Sequence, residues 1–329
     1  LEGFALEWER QRPLLAGYTI ESVYFGGGTP SLLGPEPIRA LLQQISPLQP
    51  GAEITLEANP EHADPALYAA YRAAGVNRVS LGVQSLDDRA LATLERQHTA
   101  RKAKEAIRAV KAAGIPNLSI DLMYDLPNQT VASWAYTLDQ LNDLPIDHLS
   151  LYNLTIEPHT SFYRRQRQLT VPPPEESLKM LRKAIDALRR LGLERYEISA
   201  FAKPGFASRH NLGYWTYRPF LGFGPSAFSY WDGERFQNEA HLQRYAQALR
   251  SGQSPVSFRE KLEPDAALKE QLAVQLRLLS GWAPPPLAQE TQEAIERLQK
   301  QRWLVWDGPT LRLTEEGTLF YDSVAAELI

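Results

Sequence analysis

The sequence contains no cysteine. That absence excludes disulfides, thiol catalysis, Cys-ligated zinc and any iron-sulfur cluster held by thiolates of this chain. Long apolar runs are missing as well, since none approaches the ~20 residues a membrane-spanning helix needs. Neither sign of charge is in large excess: 35 Lys and Arg stand against 39 Asp and Glu, a formal net charge of −4. Without a concentrated basic face, neither nucleic acid nor an anionic membrane surface is the expected partner. What is present, 329 residues that are 43% hydrophobic and 22% charged, reads as an ordinary globular protein with a sizeable core. Its length suits two domains, or one long α/β barrel with an extension.

From Ser22 to about Ala200, short runs rich in β-branched and aromatic residues alternate with segments of helical period, the pattern of βαβ units on a parallel sheet. Six strands are expected, at residues 22–25, 53–57, 78–83, 118–123, 148–154 and 195–199. The helix between the last two shows the logic. Pro173 and Pro174 open it, Leu178, Leu181, Ile185 and Leu188 recur at helical spacing, and Gly192 stops it. After about Phe258 the pattern becomes helix (265–279), helix (286–300), a hairpin turning at Asp307-Gly308, and a last helix from about Glu315, an order like that of a winged helix. This stretch carries 8 basic against 12 acidic residues, which favours a structural or docking role over contact with DNA. The division is therefore expected at 1–258 and 259–329.

In parallel α/β barrels and sheets, function gathers at the carboxyl ends of the strands. Those ends are polar here. They run into Gly26-Gly27-Gly28-Thr29-Pro30, Glu57-Ala58-Asn59-Pro60-Glu61, Gln84-Ser85, Asp121-Leu122-Met123-Tyr124 and Asn153-Leu154-Thr155-Ile156-Glu157. Three glycines permit close backbone approach to a charged small molecule, although a tight strand-to-helix turn would use them equally well. Glu57 and Asp121 end otherwise apolar strands, so each is either a helix cap or a ligand contact. Arg96, beyond a short helix started by Asp87, either returns to this rim or pairs with Glu95. Together these groups offer an anion for an ammonium, a guanidinium for a carboxylate, and acceptors for diols, the needs of a zwitterion bearing sugar hydroxyls. A second constellation is His210-Asn211-Leu212-Gly213-Tyr214-Trp215, followed by Leu221-Gly222-Phe223-Gly224-Pro225-Ser226-Ala227. A histidine beside Tyr and Trp suits a flat aromatic ligand or axial ligation of heme iron, and it equally suits a packed, hydrogen-bonded loop.

Seven segments then point together. YFGGGTPSLL (24–33), LEANPE (56–61), VNRVSLGVQSL (76–86), SIDLMYDLP (119–127), LSLYNLTIEP (149–158), YEISAFAKPG (196–205) and RHNLGYW (209–215) resemble the radical S-adenosylmethionine proteins of the coproporphyrinogen III oxidase type. The H-N-x-x-Y-W motif places the resemblance with the heme-chaperone branch rather than the oxygen-independent oxidase. It implies an α/β fold, a partial (β/α)6 barrel whose first strand is missing, plus the small winged-helix-like C-terminal α+β domain. It implies S-adenosylmethionine contacts at Gly27, Gly28, Thr29, Glu57, Gln84, Arg96, Asp121 and Thr155, with Phe228 in the cavity wall. Heme would be bound by His210, with Tyr214 and Trp215 against the porphyrin.

Two departures stand out: Phe228 occupies a position where such relatives carry His, and Asp125 one where they carry Gly. A larger one is the missing C-x-x-x-C-x-x-C loop, whose thiolates hold a [4Fe-4S] cluster in that family. Because Leu1 stands in what reads as mid-helix, the loop and the first strand are expected upstream of it, in a longer protein. With no thiolate of its own, this chain is expected to hold no metal and to start no radical chemistry. The implied function is a cytoplasmic heme chaperone that transfers heme to acceptor hemoproteins, with a homodimer left open as its assembly. The alternatives are oxidative decarboxylation of coproporphyrinogen III, or a cluster-free nucleotide-binding barrel.

Overall fold

The computed structural model describes residues 1–45, 47–61, 63–156, 158, 161 (backbone) and 162–329. Glu157 and His159 lie outside the described residues. The chain groups into two compact units, one of Leu1–Ser22, Ala40–Ala52 and Ser208–Ile329, the other of Val23–Arg39 and Glu53–Ala207. Residues 259–329 fall in the first of these.

The largest sheet among the described residues has seven strands: β1 (Ile20–Phe25), β2 (Leu48–Ala58), β3 (Arg78–Gln84), β4 (Asn117–Tyr124), β5 (His148–Asn153), β6 (Glu194–Glu197) and β7 (Ala200–Ala202). Their order is β1-β2-β3-β4-β5-β7-β6, which leaves β1 at an edge. The pairs β2-β3, β3-β4 and β4-β5 are parallel, as the βαβ pattern requires. Period-2 alternation gives the strands two unlike faces. Leu56, Val79, Leu81, Val83, Ile120 and Leu122 are fully buried on one. Glu57, Ser80, Gly82, Gln84 and Asp121 occupy the other. The helix Ala100–Ala112 supplies Ala103, Ala106, Ile107 and Val110 to the core at helical spacing.

The sixth strand differs from expectation. Instead of one parallel strand over 195–199, the chain makes a hairpin in which Glu197 pairs with Ala200 across the two turn residues Ile198 and Ser199. A two-residue turn can only send the chain back antiparallel, so β7 inserts between β5 and β6 and pairs antiparallel with both. The Arg195 guanidinium closes the turn by donating to the Ile198 carbonyl. The helix before this hairpin runs Pro174–Arg190, and its buried residues are Met180, Ala184, Ala187 and Leu188; of the stripe read from spacing, Leu188 is fully buried while Leu178, Leu181 and Ile185 are half-buried. Gly192 follows it at a φ of 73°.

In the other unit, β8 (Phe228–Trp231), β9 (Glu234–Asn238) and β10 (Val256–Lys261) form an antiparallel sheet that the motifs do not announce. A turn signal is present all the same: Asp232 and Gly233, both at positive φ, make the two-residue turn between Trp231 and Glu234. The C-terminal order is helix Pro264–Gln275, helix Gln289–Lys300, then β11 (Leu304–Asp307) against β12 (Thr310–Leu313), with a Trp282–Leu311 bridge adding a third short strand. This is the winged-helix-like order. Two boundaries move. The hairpin turns at Gly308-Pro309, because Asp307 pairs with Thr310, and the last helix is Tyr321–Leu328, a single 3-10 turn occupying Gly317–Leu319 before it.

The helix Glu2–Gln11 anchors the glycine loop of the second constellation. Glu7 is fully buried and accepts hydrogen bonds from the Gly224 N–H at 2.8 Å, Asn238 Nδ2 at 2.5 Å and the Tyr245 hydroxyl at 2.5 Å. Replacing it with Ala strands three donors. Glu7→Ala is expected to lower unfolding free energy by about 3 kcal/mol, read from the urea midpoint, and an unchanged midpoint would contradict this account of the loop.

Candidate functional site

A cavity of about 280 Å³ opens at the carboxyl ends of β2, β3 and β4. Gly28, Thr29, Glu57, Gln84 and Asp121, picked out at strand ends, and Arg96, picked out beyond a short helix, all line it, together with Pro30, Ala58, Asn59, Ser80 and Gly82. Gly27, Thr155 and Phe228 are not among the lining residues; Thr155 is exposed, and Phe228, on β8, is 50% exposed.

Register explains the convergence. Glu57 pairs with Ser80, Ser80 with Ser119, and Asp121 with Ser150, so polar side chains fall in rows across one face. Gln84 arrives by a bulge: the β3-β4 register slips between Leu81 and Gln84, and Gln84 takes a φ of 64°, a left-handed conformation that aims its amide into the cavity wall. Arg96 is returned to the rim by the short helix Asp88–Thr93, whose N-cap Asp87 accepts the Arg89 N–H and whose end closes with Arg96 N–H on the Leu91 carbonyl. Glu95 pairs with Arg165, so the alternative of an Arg96–Glu95 pair is not what forms.

Glu57 accepts a 2.6 Å hydrogen bond from the Tyr24 hydroxyl, and a Cβ on Gly26 would meet the Tyr24 ring at 2.6 Å. The first glycine is therefore required by close packing. Burial, and then the Glu57 charge, holds the Tyr24 phenol protonated far above its ordinary range. Burial also pushes the Asp121 carboxyl up to about 6; the neighbouring Glu57 charge adds to the rise, while hydrogen bonds from Ser150 and Ser80 (3.3 Å) and the Arg78 cation oppose it. Arg78 itself is buried, its Nε without a hydrogen-bond partner among the described residues.

Tyr24, Ser80, Gly82 and Arg78 were not singled out from sequence, whereas Asn59 stood among the polar strand ends. The available signal was the alternation Arg-Val-Ser-Leu-Gly-Val-Gln over 78–84, which marks one polar face.

His210, on the helix Arg209–Trp215, is half-buried, with Nδ1 2.9 Å from Ser22 Oγ and Nε2 2.8 Å from the Tyr214 hydroxyl. Tyr214 packs edge-on against Phe220 at 4.7 Å, while Trp215 is covered by the Arg277 guanidinium at 4.2 Å. Two further histidines that could in principle ligate heme are enclosed. His98 is buried against the Val83 carbonyl and Glu61, and His148 is buried between Ser119 and Tyr196. Burial and then the Arg78 charge keep His148 neutral.

A family model described as the Radical SAM superfamily matches residues 9–141. The heme chaperone HemW of Mycobacterium tuberculosis (strain ATCC 25618 / H37Rv) is 36% identical over 316 residues, covering 94% of this chain and 81% of its own. The chain belongs to the HemW heme-chaperone family. HemW of Synechocystis sp. (strain ATCC 27184 / PCC 6803 / Kazusa) is 37% identical over 306 residues, 89% of this chain and 74% of its own length. Among solved structures, the coproporphyrinogen III oxidase HemN of Escherichia coli, titled a radical SAM enzyme, superposes with a TM-score of 0.85 over 99% of this chain and 82% of that one, at 23% identity. That likeness establishes the fold, a radical-SAM-type partial barrel. Asp125 takes a φ of 61° and accepts a 2.5 Å hydrogen bond from Ser177, which ties the end of β4 to the helix Pro174–Arg190.

A raised pKa sets the sign of the pH dependence. Below about 6 the Asp121 carboxyl is protonated and loses acceptor strength toward diol or ammonium groups; above it the carboxylate is restored. Binding of a ligand that engages this carboxylate, with S-adenosylmethionine as the calorimetric probe, is therefore expected to strengthen as pH increases through that value. Asp121→Asn should flatten the rise; a rise that persists in the variant would remove Asp121 from the site.

Proposed function

We propose that this HemW-family chain captures heme on His210 and passes it to acceptor hemoproteins, and that its strand-end cavity holds S-adenosylmethionine. The observation that carries the reading is the match to HemW chaperones over most of the chain, joined to a cavity in which Glu57, Gln84, Arg96 and Asp121 converge. The donor set fits that ligand. Glu57 suits its ammonium, Arg96 its carboxylate, and Gln84 with Asp121 its ribose hydroxyls, each charge-assisted contact being worth roughly 1.5–3 kcal/mol. When bound, S-adenosylmethionine supplies a sulfonium, and these residues would hold and orient it. A [4Fe-4S] cluster does not fit the residues present, since the sequence supplies no thiolate and no group of three or more His, Asp or Glu among the described residues is arranged to hold a metal ion. No step is assigned to it.

His210 is the heme ligand in this reading. Imidazole is a good axial ligand for heme iron, and His210 is the half-buried described histidine with aromatic rings about it. Among the described residues no helix is long and apolar enough to cross a membrane.

Two measurements test the proposal. Ferric heme titrated into the chain and followed by its Soret band should bind at least 10-fold more weakly to His210→Ala, with circular dichroism confirming the fold; equal affinity in a folded variant moves the heme site elsewhere. S-adenosylmethionine should bind this chain weakly, ordering costs offsetting most of the contacts, and should yield no 5′-deoxyadenosine under reduction. Detecting that product would contradict the assignment of a thiolate-free site.

A further inference from the structure

The sequence leaves His210 as either a packed loop histidine or a heme ligand, and the structure shows one side chain placed for both. Its two ring nitrogens have different partners on different elements. Nδ1 lies 2.9 Å from Ser22 Oγ on β1, and Nε2 lies 2.8 Å from the hydroxyl of Tyr214, one helical turn further along Arg209–Trp215. Tyr214 is itself fixed, edge-on to His210 at 4.9 Å and to Phe220 at 4.7 Å. A phenol is a stronger hydrogen-bond donor than an aliphatic alcohol. That difference favours Tyr214 as the donor to the lone pair on Nε2. The ring proton is left on Nδ1, where it is given to Ser22 Oγ. This matches the arrangement by which proteins prepare a metal-ligating histidine, one nitrogen donating to an oxygen so that the lone pair of the other is presented.

We infer that Ser22 and Tyr214 jointly set heme capture: Ser22 holds the imidazole in the tautomer whose Nε2 ligates iron, and Tyr214 occupies that same lone pair until heme displaces it. Nε2 has a single lone pair, so the Tyr214 bond and an iron bond exclude each other. Each binding event breaks the phenol bond, and each release restores it, which suits a protein that must give its heme away. Ser22 and Tyr214 are positioning residues here, and the inference rests on the reading of His210 as the heme ligand.

The test is a ferric heme titration of the whole chain, followed through the Soret band with circular dichroism as the folding control, for four variants. Tyr214→Phe keeps the ring and removes only the hydroxyl; it should tighten heme binding roughly 3- to 10-fold, the equilibrium equivalent of one hydrogen bond. A purely structural role for Tyr214 predicts weakening or no change, and either result overturns the inference. Ser22→Ala should weaken binding roughly 10-fold and shift the Soret maximum, while Ser22→Thr, which keeps the hydroxyl, should restore both. If Ser22→Ala binds as the parent does, or Ser22→Thr fails to rescue it, the tautomer argument is overturned. His210→Ala separates the two levels: if it binds heme unchanged, the proposed heme site fails, whereas if it loses heme while Tyr214→Phe does not gain, only the Tyr214 inference fails.

Discussion

Two carboxylates, Glu57 and Asp121, have to be carried on one face of a parallel sheet whose other face is packed into an apolar core. Nearly everything about the cavity follows from how that is managed. A lone buried carboxylate would be costly, and the sheet spreads the burden over its register. Ser80 and Ser150 donate to Asp121, Tyr24 donates to Glu57, and the buried Arg78 lies deeper among the same strands. The compensation is incomplete, as the raised Asp121 pKa shows. Burial is the largest cause of that rise and outweighs the partners, so it reflects desolvation and not a lack of cations, with Arg78 close by and Arg96 on the cavity wall.

The His210 helix solves a different problem by similar means. A half-buried imidazole needs both nitrogens satisfied, and Ser22 and Tyr214 satisfy them. In the glycine loop that follows, the Gly224 N–H donates to the buried Glu7, which also accepts from Asn238 and Tyr245, and Asn238 donates in turn to the Gly224 carbonyl. Both arrangements use polar groups far apart in sequence. Neither is visible as a motif, because no spacing rule links residue 22 to 210 or residue 7 to 224.

The barrel strands and the helix Pro174–Arg190 were legible because they are long, strongly patterned and bounded by Pro and Gly. The convergence of Glu57, Gln84, Arg96 and Asp121 was legible too, for strand ends in a parallel sheet share one rim. What escaped were local decisions. Ile198-Ser199 carries no Gly or Asn to announce a hairpin, so β6 and β7 read as one strand. Asp232-Gly233 does announce one, but the neighbouring histidine motif overshadows it. Ser80 and Gly82 belong to no motif, and only the register of β3 with its neighbours puts them on the cavity face.

By itself the amino-acid sequence determined the class of fold, the family and the identity of the polar strand ends, since period, punctuation and ordered motifs are local properties of the chain. Tertiary structure alone decided which charges meet, that Gly26 must be small because Tyr24 and Glu57 crowd it, that Arg165 and not Arg96 takes Glu95, and that Tyr214 and Ser22 divide the two nitrogens of His210. Hydrogen bonds and ion pairs are set by distances of a few ångströms in space, and separation along the chain does not encode them.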